Sequence, residues 1–329
     1  MVSRSIDVAG LPKAEIHCHI EGAAHPDLAR RLAAKHGVDL SNIIDGDRYL
    51  WRDFTQFLSC YDRASSVFRT PDDYRLLAYD NGRRLGEQGA IYCEQFLSPT
   101  HAMQTGIDYL DLVEAVSEGA EQARAETGIE TRYIVTCVRH LGPDRAVAVA
   151  RLTERYPHPM VTGFGMGGDE RVFEPADFAT AYEIAANAGL ELTAHAGEFA
   201  GPESVAGCLD HLGVTRIGHG VRAIEDPDLV ARLVDEEIVL EVCPGSNVAL
   251  GVYPDIAAHP LRRLADAGVK VTVSSDDPPY FDTTLAREYE HAATLGFDED
   301  GLVGLTRTAI EAAFCEPALK RRLLARLDG

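Results

Sequence analysis

Hydrophobic and polar positions in this chain alternate between two periods. Ala14 to Ile20 has the two-residue alternation of a strand, which places His17 and His19 on one face and Cys18 on the other. Apolar, β-rich runs recur at Ala90 to Leu97, Arg132 to Val138, Met160 to Met166, Leu190 to Ala194, Arg216 to Gly218, Ile238 to Val242 and Val269 to Ser274. Between them lie stretches with helical spacing, among them Tyr109 to Glu126 and Pro175 to Ala188. Eight strands alternating with helices predict a parallel sheet closed into a (β/α)8 TIM barrel. A doubly wound sheet is the alternative, but no G-x-G-x-x-G follows the first strand.

The connection from strand 1 to strand 2 is too long for a simple crossover. Residues from Pro26 to about Arg84 read as helical, with Asp27 to Lys35 amphipathic and Tyr49 to Phe68 carrying Trp51, Phe54, Phe57, Tyr61 and Phe68 at near-helical spacing. This helical insertion, about 26–84, is expected either as core packing or as an apolar lid over the strand ends. Asp298 to Gly329 reads as closing helices, with Ala318 to Leu327 a surface helix. There is no internal repeat, low-complexity tract or flexible linker, so residues 1–329 read as a single domain.

Composition narrows the partners. Acidic residues outnumber basic ones, 52 to 31, and the formal charge of −21 repels polyanions, which argues against nucleic-acid polymers and anionic membranes. Cys18, Cys60, Cys93, Cys137, Cys208, Cys243 and Cys315 are scattered singly, as reduced thiols would be. Met1 to Leu11 has no apolar signal-like core and no run is long enough to span a bilayer. The expectation is a soluble cytoplasmic protein; nothing in the pattern fixes an oligomeric state.

The strand ends carry the chemistry. His17-Cys-His19, His195-Ala-Gly-Glu198, Gly218-His219-Gly220 and Ser275-Asp276-Asp277-Pro278 all fall where apolar runs stop, and in a barrel such ends meet at one mouth. Three histidines and an aspartate, His17, His19, His195 and Asp276, suit zinc, with iron or manganese also open. Strand 4 has no Lys to carry a bridging carboxylate, and none of the four lysines (Lys13, Lys35, Lys270, Lys320) lies at a strand's C-terminal end, so one metal per chain is favoured. A divalent ion brings the pKa of a bound water down toward about 7, giving metal-assisted hydrolysis as the reaction class.

The succession H-x-H-x-E-G, H-A-G-E, G-H-G and S-D-D-P, from Leu11 through Tyr280, resembles the adenosine and adenine deaminase family. The resemblance implies a zinc-containing barrel hydrolase that replaces the 6-amino group of a purine with oxygen. On it, His17, His19, His195 and Asp276 match the Zn2+ ligands, and Glu198 the acid that protonates purine N1 as hydroxide attacks C6. His219 matches the group that orients and helps deprotonate the water, Asp277 the carboxyl facing N7, and Gly168 the backbone N–H facing N3. Glu21 stands where many adenosine deaminases have an Asp that meets the ribose 5′-hydroxyl, and Phe57, Leu58 and Tyr61 resemble the apolar lid over a nucleoside.

Gly167-Gly168-Asp169-Glu170 and Ile217-Gly218-His219-Gly220 side with adenosine or 2′-deoxyadenosine as substrate. Ser246-Asn247-Val248 and Pro278-Pro279-Tyr280-Phe281 side with adenine, and a modified adenosine such as aminodeoxyfutalosine is a third possibility. The reading tilts toward a nucleoside. A phosphoesterase or amidase on a similar barrel would want a second metal or Arg at the mouth; a binding protein that lost activity would lack a ligand or the acid. His25, His36, His101, His140, His158, His211, His259 and His291 read as surface or capping groups.

Overall fold

Strand positions predicted by alternation become the staves of a barrel in the computed structural model, which describes residues 6–328. They are β1 (Lys13–His19), β2 (Ala90–Leu97), β3 (Glu130–Val138), β4 (Val161–Gly167), β5 (Glu191–Ala196), β6 (Arg216–His219), β7 (Val239–Val242) and β8 (Lys270–Val273), neighbours in chain order and parallel. The ring closes just past β8, where Cys18 bridges Asp276; His19 N donates to Asp276 O at 3.1 Å and Asp276 N to His17 O at 3.0 Å. Closure therefore runs through the residues singled out for chemistry, and it sets the end of β1 beside the end of β8. Of the N-terminal stretch read from sequence, residues 1–5 lie outside the described residues, as does Gly329. Among the described residues no helix is long and apolar enough to cross a membrane, and no cysteine is in a disulfide.

The segment after β1 is more divided than its periodicity implied. It comprises α1 (Pro26–His36), a hairpin of two-residue strands (Ile44–Asp45 and Arg48–Tyr49), α2 (Phe54–Ser65) and α3 (Pro71–Glu87). The aromatic stripe is not one helix: Tyr49 is in the hairpin, Trp51 precedes α2, and Phe68 follows it. Asp53 stops the stripe from continuing backwards, because its side chain caps α2 by accepting Gln56 N at 2.9 Å. Thr70 and Asp73 form a capping box at α3, with Pro71 in the first turn. The same Asp73 binds Lys35 Nζ and His36 Nε2, each at 2.7 Å, and so ties α1 to α3. Helix α3 packs along β2 and the helix Tyr109–Thr127, the place of an ordinary barrel helix. The extra element over the mouth is thus the stretch up to α2, shorter than 26–84.

Two other expectations change. Helix Pro317–Ala325 is not merely a surface helix: Leu319 and Leu323 are buried with Ala14, Ile16, Ile91 and Tyr92, closing the bottom of the barrel. Truncating either leucine would cost about 2–5 kcal/mol. Between β7 and β8 the chain forms two short helices, Pro244–Ala249 and Leu261–Asp266, which strand-and-helix periodicity did not resolve. They carry or flank Ser246, Asn247 and His259, all fully or nearly fully buried.

Candidate active site

Parallel register puts the strand ends at one height. Ala196 of β5 pairs with His219 of β6, and Cys18 of β1 with Gln95 of β2. His19 Nε2 lies 3.1 Å from His195 Nε2 and 3.5 Å from Asp276 Oδ1, and His17 Nε2 lies 3.8 Å from the same oxygen. Two donors at 2.0–2.1 Å from one tetrahedral ion stand roughly 3.3 Å apart, so these spacings suit a shared cation. His17 Nε2 is buried without a hydrogen-bond partner. His17 and His19 are held well below the usual imidazole range, first by burial, and His195 is lowered to about 4 for the same reason, so their lone pairs are free. Burial likewise pushes Asp276 up to about 6 and, with Asp276 beside it, Asp277 well above the carboxylate range. Neutral imidazoles facing buried carboxylates are a donor set that a divalent cation relieves.

His219 also falls in this cluster: ligand atoms of His17, His195, His219 and Asp276 lie within 4.8 Å of one another, and a second group joins His19, Asp276 and Asp277. Proximity alone does not separate His219 from the ligands matched by sequence. Its backbone, with φ 61°, and that of Asp276, with φ 62°, are both left-handed, a conformation that costs non-glycine residues of order 1–3 kcal/mol and clusters at functional sites. Two neighbouring glycines make room for the site. A Cβ on Gly22 would stand 1.5 Å from Asp277 Oδ1, and one on Gly218 would stand 2.7 Å from His17 Cε1. The G after H-x-H-x-E and the first G of G-H-G are therefore space requirements.

Glu198 faces this cluster from the turn after β5. Its carboxyl is 3.7 Å from His219 Nε2 and receives Asn247 Nδ2 at 3.5 Å. Burial, then the carboxylates of Asp276 and Glu170, hold its pKa well above the usual range, which keeps it protonated and able to donate. Asp277 Oδ1 is buried without a partner, leaving a polar atom to meet a ligand.

The cavity in front of these groups has a volume of about 90 Å3. Asp277, Gly168, Phe57, Leu58 and Tyr61, matched by sequence to substrate contacts, all line it. Glu21 does not. It is 1% exposed, and its oxygens accept Tyr74 OH at 3.1 Å and Tyr61 OH at 3.4 Å, behind the cavity wall. His259 is buried beside Asn247 and accepts Leu261 N at 3.2 Å as a cap, while His101 and His140 line the cavity, so the capping or surface reading fails for these last two. It holds for His25, which caps α1 by accepting Asp27 N.

Sequence reasoning also passed over the groups that hold the site. His17 Nδ1 donates to Glu241 Oε2 at 2.7 Å; Glu241 Oε1 accepts Thr193 Oγ1 at 2.8 Å and Arg216 Nε at 2.7 Å; Arg216 in turn meets Glu94 Oε2 at 2.6 Å and stacks 3.6 Å from the Phe314 ring. All four charged or titratable members are at most 1% exposed. A carboxylate behind a metal-facing imidazole fixes its tautomer. The visible signal was a charge within an apolar strand, at Glu94 and Glu241, or at its first residue, at Arg216, which lipophilic patterning discounts. Ser246 Oγ similarly donates to Asp276 Oδ2 at 2.6 Å.

A family model described as adenosine deaminase matches residues 12–329. An adenine deaminase of Chelativorans sp. (strain BNC1) is 54% identical over 318 residues, 96% of this chain and 98% of that protein. Another, from Rhizobium meliloti (strain 1021), is 52% identical over 97% of this chain and 99% of its own length. Among solved structures, the adenine deaminase from Arthrobacter aurescens superposes with a TM-score of 0.90 at 31% identity, over 96% of this chain and 98% of that one. An amidohydrolase from Burkholderia ambifaria with bound Zn has a TM-score of 0.90 at 27% identity, over 99% and 94%.

Proposed function

The chain belongs to the adenosine deaminase family and is a 6-aminopurine deaminase; from that premise we propose that its substrate is free adenine, hydrolysed to hypoxanthine and ammonia. The sequence tilted toward a nucleoside, and two things weigh against that tilt. The relatives above that match nearly end to end are named adenine deaminases. The observation that carries the reading is Glu21: the side chain expected to meet a ribose hydroxyl is closed off by Tyr61 and Tyr74 and does not reach the cavity. On its α2 side the cavity presents apolar Phe54, Phe57 and Leu58, with Phe281 beside them, while Asp62, Ser98, His101, Thr136 and His140 supply polar lining elsewhere.

His17, His19, His195 and Asp276 are the proposed ligands of one ion, with zinc the proposed metal, as in the Burkholderia neighbour. When bound, such an ion supplies a water activated at neutral pH. The chain's own groups do the rest. Glu198, protonated because it is buried among carboxylates, gives its proton to N1 and makes C6 electron-poor. Asp277, raised in the same way, offers a proton to N7 from its carboxyl, whose Oδ1 has no partner within the chain, and the Gly168 N–H faces N3. The face of α2 covers the base and keeps water out.

The deciding assay follows ultraviolet absorbance of purified, zinc-loaded protein with adenine, adenosine, 2′-deoxyadenosine and N6-substituted adenines. Adenine should exceed adenosine in kcat/KM by at least roughly 10², the discrimination a missing set of polar contacts commonly gives. Equal or better turnover of adenosine would refute the free-base reading and leave the family assignment intact.

A further inference from the structure

A backbone N–H can only donate in a hydrogen bond, and one such N–H fixes the place of a hydrogen at the reaction centre from a distance. Leu261 N donates to His259 Nδ1 at 3.2 Å, so that nitrogen carries a lone pair. An imidazolium has none to offer, so His259 is neutral and its one ring hydrogen is on Nε2. Nε2 lies 3.1 Å from Asn247, and the atom that accepts its hydrogen is the amide oxygen Oδ1. The amide orientation is thereby set. Its NH2 end turns to His219 Nδ1 at 3.3 Å and to Glu198 Oε1 at 3.5 Å. An amide nitrogen only donates, so His219 Nδ1 accepts, and the hydrogen of that ring is on Nε2.

We infer that Asn247 and His259 are positioning residues that lock His219 in the Nε2–H tautomer, so that His219 presents a hydrogen and not a lone pair to the reaction centre. The inference rests on the placement of His219 beside the reacting atoms in the proposed deamination and revises the role carried over from sequence, since a nitrogen that already bears hydrogen does not take a proton from water. The proton goes to a carboxylate instead. The two nearest to His219 Nε2 are Glu198 Oε1 at 3.7 Å and Asp276 Oδ2 at 3.9 Å. Glu198 is free to accept it once its own proton is on N1, passes it to N6 so that ammonia leaves as the C6–N6 bond breaks, and takes up the proton left on the C6 hydroxyl as C6=O forms, which restores the acid. His219 then donates a hydrogen bond to the attacking water.

The same rule sorts the cluster that distances left unsorted. His17 Nδ1 faces a carboxylate, Glu241, which draws the hydrogen to Nδ1 and leaves Nε2 a lone pair for a cation. His219 Nδ1 faces an NH2 group, which does the reverse. Two imidazoles whose ring centroids are 4.8 Å apart are given opposite tautomers by the groups behind them, one to bind metal and one to donate.

The test reads tautomers in substrate-free, zinc-loaded protein labelled with 15N-histidine, by long-range proton–nitrogen correlation, with His219 assigned by difference against His219→Gln. The expected spectrum shows His219 with hydrogen on Nε2 and a bare Nδ1; hydrogen on Nδ1 overturns the inference. In Asn247→Asp a carboxylate oxygen replaces the NH2 group, and the His219 hydrogen should move to Nδ1 with one zinc per chain retained and kcat lowered roughly 10²- to 10⁴-fold, the scale of a misplaced catalytic tautomer. An unmoved tautomer in that variant overturns the relay. Should Asn247→Asp not fold, Asn247→Ala serves: shifts averaged between the two tautomers support the relay, and an unchanged Nε2–H form refutes it. Since no substrate is present, failure of the free-base reading leaves this result standing, and failure here leaves the substrate assay standing.

Discussion

The Glu170 carboxylate holds Glu198 by its backbone: it accepts N–H of Gly197 on one oxygen, and of Glu198 at 3.1 Å, Phe199 at 2.8 Å and Ala200 at 3.0 Å on the other. One buried charge thus organises the whole turn that follows His195, and it stands close enough to raise the proton affinity of the Glu198 side chain. Structure and acidity at this point have a single source.

Removing that charge is expected to show in the pH profile. The acid works when protonated, so kcat falls as pH rises through the raised pKa of Glu198. In Glu170→Gln the carboxylate that helps raise it is gone, and the alkaline limb should move to lower pH, with lower kcat and zinc content kept. Glu198→Gln should retain zinc and substrate binding but lose about 10²- to 10⁴-fold in kcat. An unshifted limb in Glu170→Gln would mean that the residue only supports the turn.

Metal affinity should depend on residues that never touch the ion. His17→Ala or Asp276→Ala is expected to lower metal content and turnover together. Glu241→Gln keeps the shape but weakens the hold on the His17 tautomer, and zinc affinity by chelator competition should drop about 10- to 100-fold. Normal affinity in Glu241→Gln would refute its assigned role.

Leu58 separates the lid from the core. Phe57 is buried and packs against Tyr280 and Phe281, with centroids 5.6 and 5.2 Å away, so Phe57→Ala should both raise KM and lower Tm. Leu58 lines the cavity while only half-buried. Losing about 1–2 kcal/mol of apolar contact in Leu58→Ala should raise KM roughly 5- to 30-fold with Tm nearly unchanged. A KM equal to wild type would remove α2 from substrate contact.

Stability should fall with pH through a residue outside the chemistry. Burial pushes Glu288 up to about 8 from 4.5, and its carboxyl receives Gly245 N at 2.8 Å and the Thr283 hydroxyl. Its folded-state pKa is the higher one, so its contribution is complete below about 4.5 and is lost as pH rises toward 8. Denaturant unfolding at several pH values should show this slope flattened in Glu288→Gln. An identical slope in the variant would count against a protonated Glu288.

Alternation, strand count and the four strand-end motifs were enough to specify a barrel, its mouth and the residues that gather there. Those signals are local: a strand's period and its last residues are written within seven or eight positions of one another, and parallel pairing in chain order brings all eight ends to the same side. The place of Glu21 was not local. Glu21 looks available in sequence, and only the packing of Tyr61 from α2 and Tyr74 from α3 takes it out of reach. The supporting charges were equally hidden, because Glu94, Arg216 and Glu241 come from three separate strands and satisfy one another only inside the closed ring. The tautomer of His219 lies furthest from the sequence: it depends on a backbone amide at Leu261, two buried side chains and their orientations, which periodicity does not encode because a hydrogen's place is decided by which atom faces it across space.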